Sequence, residues 1–193
     1  MASNHEMVKV VGDRFCVPYT MELFVKQKIQ WLSSSRYDVS DTTGNTLLRV
    51  HGGVWNLKRR RVMTDPAGSP VITLREKKPI SWKQEWRIYD GESSDLNHFL
   101  FRVKRSSGFR INNLDVYLES RGEQGAGDFQ VIGNITSLSF TVRRENSIIA
   151  EVSHSFTWKS FIGRERFKIK VNAEVDYAFI VALVVIILEN NNR

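Results

Sequence analysis

The residues best placed to do chemistry in this chain are its arginines and lysines, which come in lumps. Residues 49–61 hold five basic side chains and no carboxylate, ending in Lys58-Arg59-Arg60-Arg61. Residues 99–111 hold Arg102, Lys104, Arg105 and Arg110, again without an acid. Residues 159–170 hold five basic side chains, among them Arg166, Lys168 and Lys170, with Glu165 as their one acid. Arginine forks grip phosphate oxygens bidentately and lysine adds a point charge, so two such groups brought together would clamp a phosphate. Near an anionic leaflet each basic residue contributes about 1 kcal/mol. The plainer reading is a solvated strand face whose charge deters edge pairing. Trp55, Trp82, Phe109 and Trp158 each stand close to a basic residue. Such pairs suit a lipid interface or single-stranded nucleic acid, and equally the half-buried wall of a β-structure.

Other reactive side chains form no recognisable pattern. His5, His51, His98 and His154 lack metal-ligand spacing, and Cys16 has no histidine nearby in sequence. Ser33-Ser34-Ser35 and Ser106-Ser107 lack the glycine frame of a nucleophile elbow. No glycine-rich run carries the Lys-Ser/Thr of a phosphate loop. The expectation is a protein that is not an enzyme, with no catalytic residue, no metal and no cofactor.

Composition bounds what could position the basic groups. A chain of 193 residues with 41% hydrophobic and 25% charged residues builds one substantial core without metal or disulfide staples. Lys plus Arg number 28 against 21 Asp plus Glu, a net +7 that favours polyanionic partners. A single cysteine allows no internal disulfide and points to a reducing, intracellular compartment. Residues 1–14 contain no apolar stretch of signal-peptide length and read as a flexible leader. Residues 177–188, YAFIVALVVIIL, are apolar throughout except for the Tyr177 hydroxyl. As a helix, twelve residues reach about 18 Å, whereas a membrane span needs about 20 residues. A helix apolar on every face is one surrounded by protein, so no transmembrane span is expected.

From Tyr37 to Val171 the chain reads as short strands and tight turns. Asp41-Thr42-Thr43-Gly44-Asn45, Asp65-Pro66-Ala67-Gly68 and Asp90-Gly91 are turn sequences between alternating segments. Phe156-Thr157-Trp158 reads as one of the strands. Parity is informative: Phe167, Ile169 and Val171 share one face of a strand, and Arg166, Lys168 and Lys170 the other. Phe101 and Val103 oppose Arg102 and Lys104 in the same way. The dry faces need a cover, and the C-terminal helix is the only strongly apolar one. The consistent architecture is a closed antiparallel barrel threaded by that helix, which also removes exposed edges. A helix about 10 Å across needs more than eight strands around it.

Several segments stand out by their order and spacing: Val17-Pro18-Tyr19, Asp41-Thr42-Thr43-Gly44-Asn45, Pro70-Val71-Ile72-Thr73-Leu74-Arg75-Glu76-Lys77 and Leu100-Phe101-Arg102-Val103-Lys104-Arg105-Ser106-Ser107. Leu114-Asp115-Val116-Tyr117-Leu118 and the closing Val175-Asp176-Tyr177-Ala178-Phe179-Ile180 complete the set, from about Phe15 to Glu189. Together they resemble the plant LURP-one-related family, within the superfamily of tubby C-terminal-like domains and phospholipid scramblases. The resemblance implies a mainly β fold with twelve strands around a buried C-terminal helix. It implies further a tie to phosphoinositides, to membrane-tethered transcription regulators and to plant defence. It defines no catalytic residues, and tubby's lipid-binding residues align with no motif here.

The expectations are therefore these. Residues 15–193 form a single barrel domain with its central helix over about 175–189, carrying Tyr177, Phe179, Ile180, Val181, Val184 and Leu188. The function is a monomeric binding module for anionic phospholipid or phosphoinositide headgroups, cytoplasmic, peripheral to membranes or nuclear. The candidate phosphate contacts are Lys58, Arg59, Arg60, Arg102, Lys104, Arg105, Arg166, Lys168 and Lys170. Phospholipid scrambling and nucleic-acid binding are the alternatives.

Overall fold

A computed structural model describes residues 6–29, 35–52, 60–77, 85–106, 113–119, 127–134, 139–154 and 166–191. Twelve strands follow one another: β1 (Met21–Ile29), β2 (Ser35–Ser40), β3 (Thr46–Gly52), β4 (Arg60–Thr64), β5 (Pro70–Lys77) and β6 (Glu85–Asp90). Then come β7 (Phe99–Arg105), β8 (Leu114–Leu118), β9 (Phe129–Asn134), β10 (Ser139–Arg144), β11 (Ser147–His154), β12 (Arg166–Val171) and the helix α1 (Tyr177–Asn191). Each strand pairs antiparallel with the next, and β1 pairs with β12 to close the barrel. The expected barrel around a C-terminal helix is thus present. β1 is an addition to the reading from residues, because Lys26, Gln27 and Lys28 hide the alternation of Leu23 and Val25. The strand expected over 156–158 lies outside the described residues.

The turns follow local chemistry. In the β2–β3 turn the Asp41 carboxylate accepts the N–H groups of Thr43 and Asn45, both at 2.9 Å. Asp65 repeats the device between β4 and β5, accepting the Ser69 N–H at 2.9 Å. Gly44 and Gly68 take φ +92° in these two turns, the left-handed region where a side chain would be strained.

The strands turn one apolar face inward, and it forms a single core with α1. Leu23, Leu48, Ile72, Ile88, Phe101, Val131 and Phe167 are fully or almost fully buried, as are all helix residues from Ala178 to Leu188. Burial of each large apolar side chain is worth about 1.5–3 kcal/mol, so the helix is the filling that gives the strands their core. Phe179 shows the packing: its ring stands edge-on to Phe101 at 5.1 Å and tilted against Phe129 at 4.9 Å.

Polar groups close both ends of the filled barrel. Asp176 precedes the helix and caps it, accepting the Phe179 N–H at 3.0 Å on one carboxylate oxygen. Its other oxygen accepts the N–H groups of Val10, Val11 and Gly12 at 3.3, 2.6 and 3.0 Å. This corrects two expectations. The helix starts at Tyr177, not 175, because Asp176 is its cap. The leader assigned to residues 1–14 is tied to the barrel from Val8 onward, where Val8 is buried and bridges to Val175. Backbone donors need acceptors when they leave water, and Asp176 supplies one for three of them. At the other end the helix runs to Asn191, beyond the expected 189. Tyr37 and Arg61 hold the Glu189 carboxylate at 2.7 and 2.8 Å, and Trp86 donates to Asn190 at 3.2 Å. At 15 residues, α1 is too short to cross a membrane, and no helix among the described residues does better.

Candidate functional site

The barrel separates the predicted basic groups. Arg60 sits on β4; Arg102, Lys104 and Arg105 sit on β7; Arg166, Lys168 and Lys170 sit on β12. Passing from β12 through β1, β2 and β3 leads to β4, while β8 to β11 stand between β12 and β7. The β12 group therefore does not join the other two. Lys58 and Arg59 lie outside the described residues, as do the Arg166 side chain and the aromatic candidates Trp55, Trp82, Phe109 and Trp158.

On β12 the charges alternate across strands. Lys170 pairs in register with Glu22 on β1 and Glu151 on β11, and approaches the Glu151 carboxylate to 3.8 Å. Lys168 meets Glu22 at 2.8 Å. A shallow groove of about 440 Å³ over this wall mixes both signs with Thr141 and Ser153. Opposite charges across a sheet stabilise it, so this group is accounted for by the fold.

The wall from β4 to β8 is built differently. Arg60 pairs with Arg75, Arg75 with Arg87, Arg87 with Arg102, and Arg102 with Tyr117. Directly paired residues place their side chains on one face, about 4.5–5.5 Å apart at Cβ. Four arginines thus form a row across four adjacent strands on the outside of the barrel. Three strand spacings of about 4.8 Å give the row a length of about 14 Å. Like charges directly opposite one another are destabilising, by roughly 0.2–1 kcal/mol per pair. The neighbouring row on the same wall obeys the ordinary rule: Lys77, Glu85, Lys104 and Asp115 alternate in sign.

Counter-ions reach the row from its flanks. Arg87 Nε lies 2.6 Å from Glu85, whose second oxygen lies 3.4 Å from Lys104. Burial would raise the Glu85 carboxyl, but the hydrogen bond from Arg87 and the charges of Arg87 and Lys104 hold it below its ordinary value. The hydrogen bond to Glu85 in turn raises Arg87. Arg60 donates to the Glu92 main-chain oxygen at 2.9 Å and approaches its carboxylate at 3.4 Å. The Arg102 guanidinium stands 5.4 Å from the centre of the Tyr117 ring. Arg75, inside the row, makes no ion pair among the described residues. The Arg60, Arg87 and Lys104 side chains are each 27% exposed, so they lie along the wall. Fixed guanidinium forks on a rigid sheet are suited to holding oxyanions.

Arg75 and Arg87 went unnoticed in the linear sequence because each stands alone between apolar or mixed neighbours. Outward parity was the available signal. Their alignment depends on bulges between Met63 and Thr64 and between Ile88 and Tyr89, which set the register.

Residues 21–188 match the LURP-one-related family. Among relatives from Arabidopsis thaliana, LURP-one-related 14 is 40% identical over 190 residues, covering 96% of this chain and 92% of that protein. LURP-one-related 9 is 38% identical, with 96% and 99% covered. An X-ray structure of an Arabidopsis thaliana protein superposes with a TM-score of 0.73 at 31% identity, covering 96% of this chain and 99% of the other. The chain, a twelve-stranded barrel filled by its own C-terminal helix, belongs to the LURP-one-related family.

Proposed function

We propose that this chain is a non-catalytic module that attaches reversibly to anionic membranes, phosphoinositide-bearing ones among them, through the outer wall of β4 to β7. The carrying observation is the row of Arg60, Arg75, Arg87 and Arg102, an arrangement that costs the fold stability and that an anion would relieve. Arg105, exposed, ends β7, and Lys58 and Arg59 precede β4 directly in the sequence. The net charge of +7 supplies long-range attraction. The β12 lysines are left out of the proposed contact because acids across the sheet already answer them. Enclosure of α1 speaks for surface attachment over a scramblase-like insertion, since the helix keeps no free apolar face. The proposed setting is an intracellular monomer related to tubby-like, membrane-tethered regulators and acting in plant defence signalling, a reading supported by the family resemblance.

The test is co-sedimentation with vesicles, with and without phosphoinositide, at low and moderate salt. Binding at low salt that weakens with added salt is expected. Absence of binding at low salt would sink the membrane reading. Extraction of membrane fractions with alkaline carbonate should release the protein, and resistance would show that it inserts.

A further inference from the structure

The arginine row has a chemical preference built into its flanks, and the following deepens the membrane reading and rests on it. Arg87 already holds a monoanion, the Glu85 carboxylate at 2.6 Å. Cations face Glu85 from three strands: Lys77 on β5 in register, Arg87 on β6 and Lys104 on β7 at 3.4 Å, with Asp115 the next acid beyond Lys104. Arg60 is held by the Glu92 main-chain oxygen at 2.9 Å, with the Glu92 carboxylate at 3.4 Å. A phosphodiester gripping Arg75 and Arg87 together brings one negative charge and must displace the Glu85 carboxylate, of equal charge, from Arg87. That carboxylate is tethered, so the exchange gains no charge and loses the entropy of immobilising the newcomer. A phosphomonoester is different: it carries about −1.5 to −2 at pH 7 and three acceptor oxygens. With Arg75 uncommitted beside Arg87, its extra charge and third oxygen have somewhere to go.

We infer that the row is a phosphomonoester site in which Arg75 is the principal contact and Glu85 is an internal competitor that rejects phosphodiesters and other monoanions. The shared chemistry is a terminal, dianionic phosphate, borne by a lipid headgroup or by a soluble molecule.

The experiment compares phosphatidylcholine vesicles doped with phosphatidic acid or phosphatidylinositol 4-phosphate against vesicles doped with phosphatidylglycerol at matched surface charge. Inositol hexakisphosphate serves as the soluble probe. The wild-type chain should prefer monoester vesicles by about tenfold at pH 7.4, the worth of one added charge-assisted hydrogen bond. That preference should shrink at pH 5.5, because the monoester loses its second charge near pH 6. Glu85, held below its ordinary value by Arg87 and Lys104, keeps its charge over this range, so a fall in binding reports the ligand. Arg75→Gln should weaken monoester binding about tenfold and leave phosphatidylglycerol binding within about twofold. Glu85→Gln should raise phosphatidylglycerol binding and narrow the ratio.

Vesicle binding with equal affinity for monoester and diester, or a ratio that Glu85→Gln leaves unmoved, would overturn the inference while the membrane reading stands. Arg75-dependent binding of inositol hexakisphosphate without vesicle binding would support the inference and defeat the membrane reading. Binding to neither defeats both. The wild-type ratio and its pH profile require no variant, and thermal melts establish that each variant is folded.

Discussion

Arg61 Nη2 lies 2.8 Å from Glu189 Oε2, which ties β4 to the last turn of α1, with the two side chains 15% and 10% exposed. Tyr37 holds the other carboxylate oxygen at 2.7 Å. Removing Glu189 takes from Arg61 and Tyr37 the carboxylate that both hold and leaves the shielded guanidinium without its counter-ion. Glu189→Ala should therefore lower stability by about 2–4 kcal/mol. Urea unfolding checks this, and a loss below about 0.5 kcal/mol would show that the pair is incidental.

Val184 lies in the middle of α1 with no exposed surface. Val184→Asp places a charge there with no counter-ion, and the expected outcome is failure to fold. Val184→Ala should fold with a loss of about 2 kcal/mol. A soluble, cooperatively melting Val184→Asp protein would contradict the enclosed-helix architecture.

Asp176→Ala should cost about 2–3 kcal/mol, because one carboxylate caps the helix and holds three leader N–H groups. Hydrogen exchange at Val10, Val11 and Gly12 should accelerate relative to the strand amides. If those amides stay protected, the leader is held by something else.

The same residue has a pH signature. Burial raises the Asp176 carboxyl against the pull of its four N–H donors. A raised folded value means that the fold binds the proton more tightly than the unfolded chain does. Its contribution to stability is therefore largest below the ordinary carboxylate range of about 4 and is lost as pH rises through the folded value. Asp176→Asn should remove this component, so the stability difference between wild type and variant should change as pH rises from about 4 through the folded value. A constant difference over that window would refute the raised value.

Cys16 should be a slow nucleophile. Desolvation first, and the negative charge of Asp176 second, push its thiol up to about 11. At pH 7 the thiolate fraction falls roughly a hundredfold below that of a thiol of pKa near 9. Alkylation by iodoacetamide should be correspondingly slower in the folded protein than in urea, and equal rates would dispose of the prediction.

Much of the architecture was legible because it rests on local patterns. The alternation of Phe167, Ile169 and Val171 with basic residues marked a strand with one dry face. The unbroken apolarity of residues 177–188 marked a helix buried all round. Asp41 and Asp65 stand at the head of two turns that their own carboxylates organise. β1 escaped notice because three polar residues obscure its period, and the leader looked loose because its acceptor, Asp176, lies more than 160 residues away.

The candidate site was legible only in fragments. Composition and parity determined that arginines and lysines would stand on the outside of a barrel. They did not determine which would stand side by side. That depends on strand register, set by bulges and by the closure of β1 on β12, and register is a property of pairs of distant segments. The conspicuous run Lys58-Arg59-Arg60-Arg61 sends Arg60 out to the row and Arg61 in to Glu189. Arg75 and Arg87, unremarkable in sequence, become neighbours only when the sheet is assembled. A period of two decides which face a residue takes, while the neighbours on that face are decided by tertiary pairing.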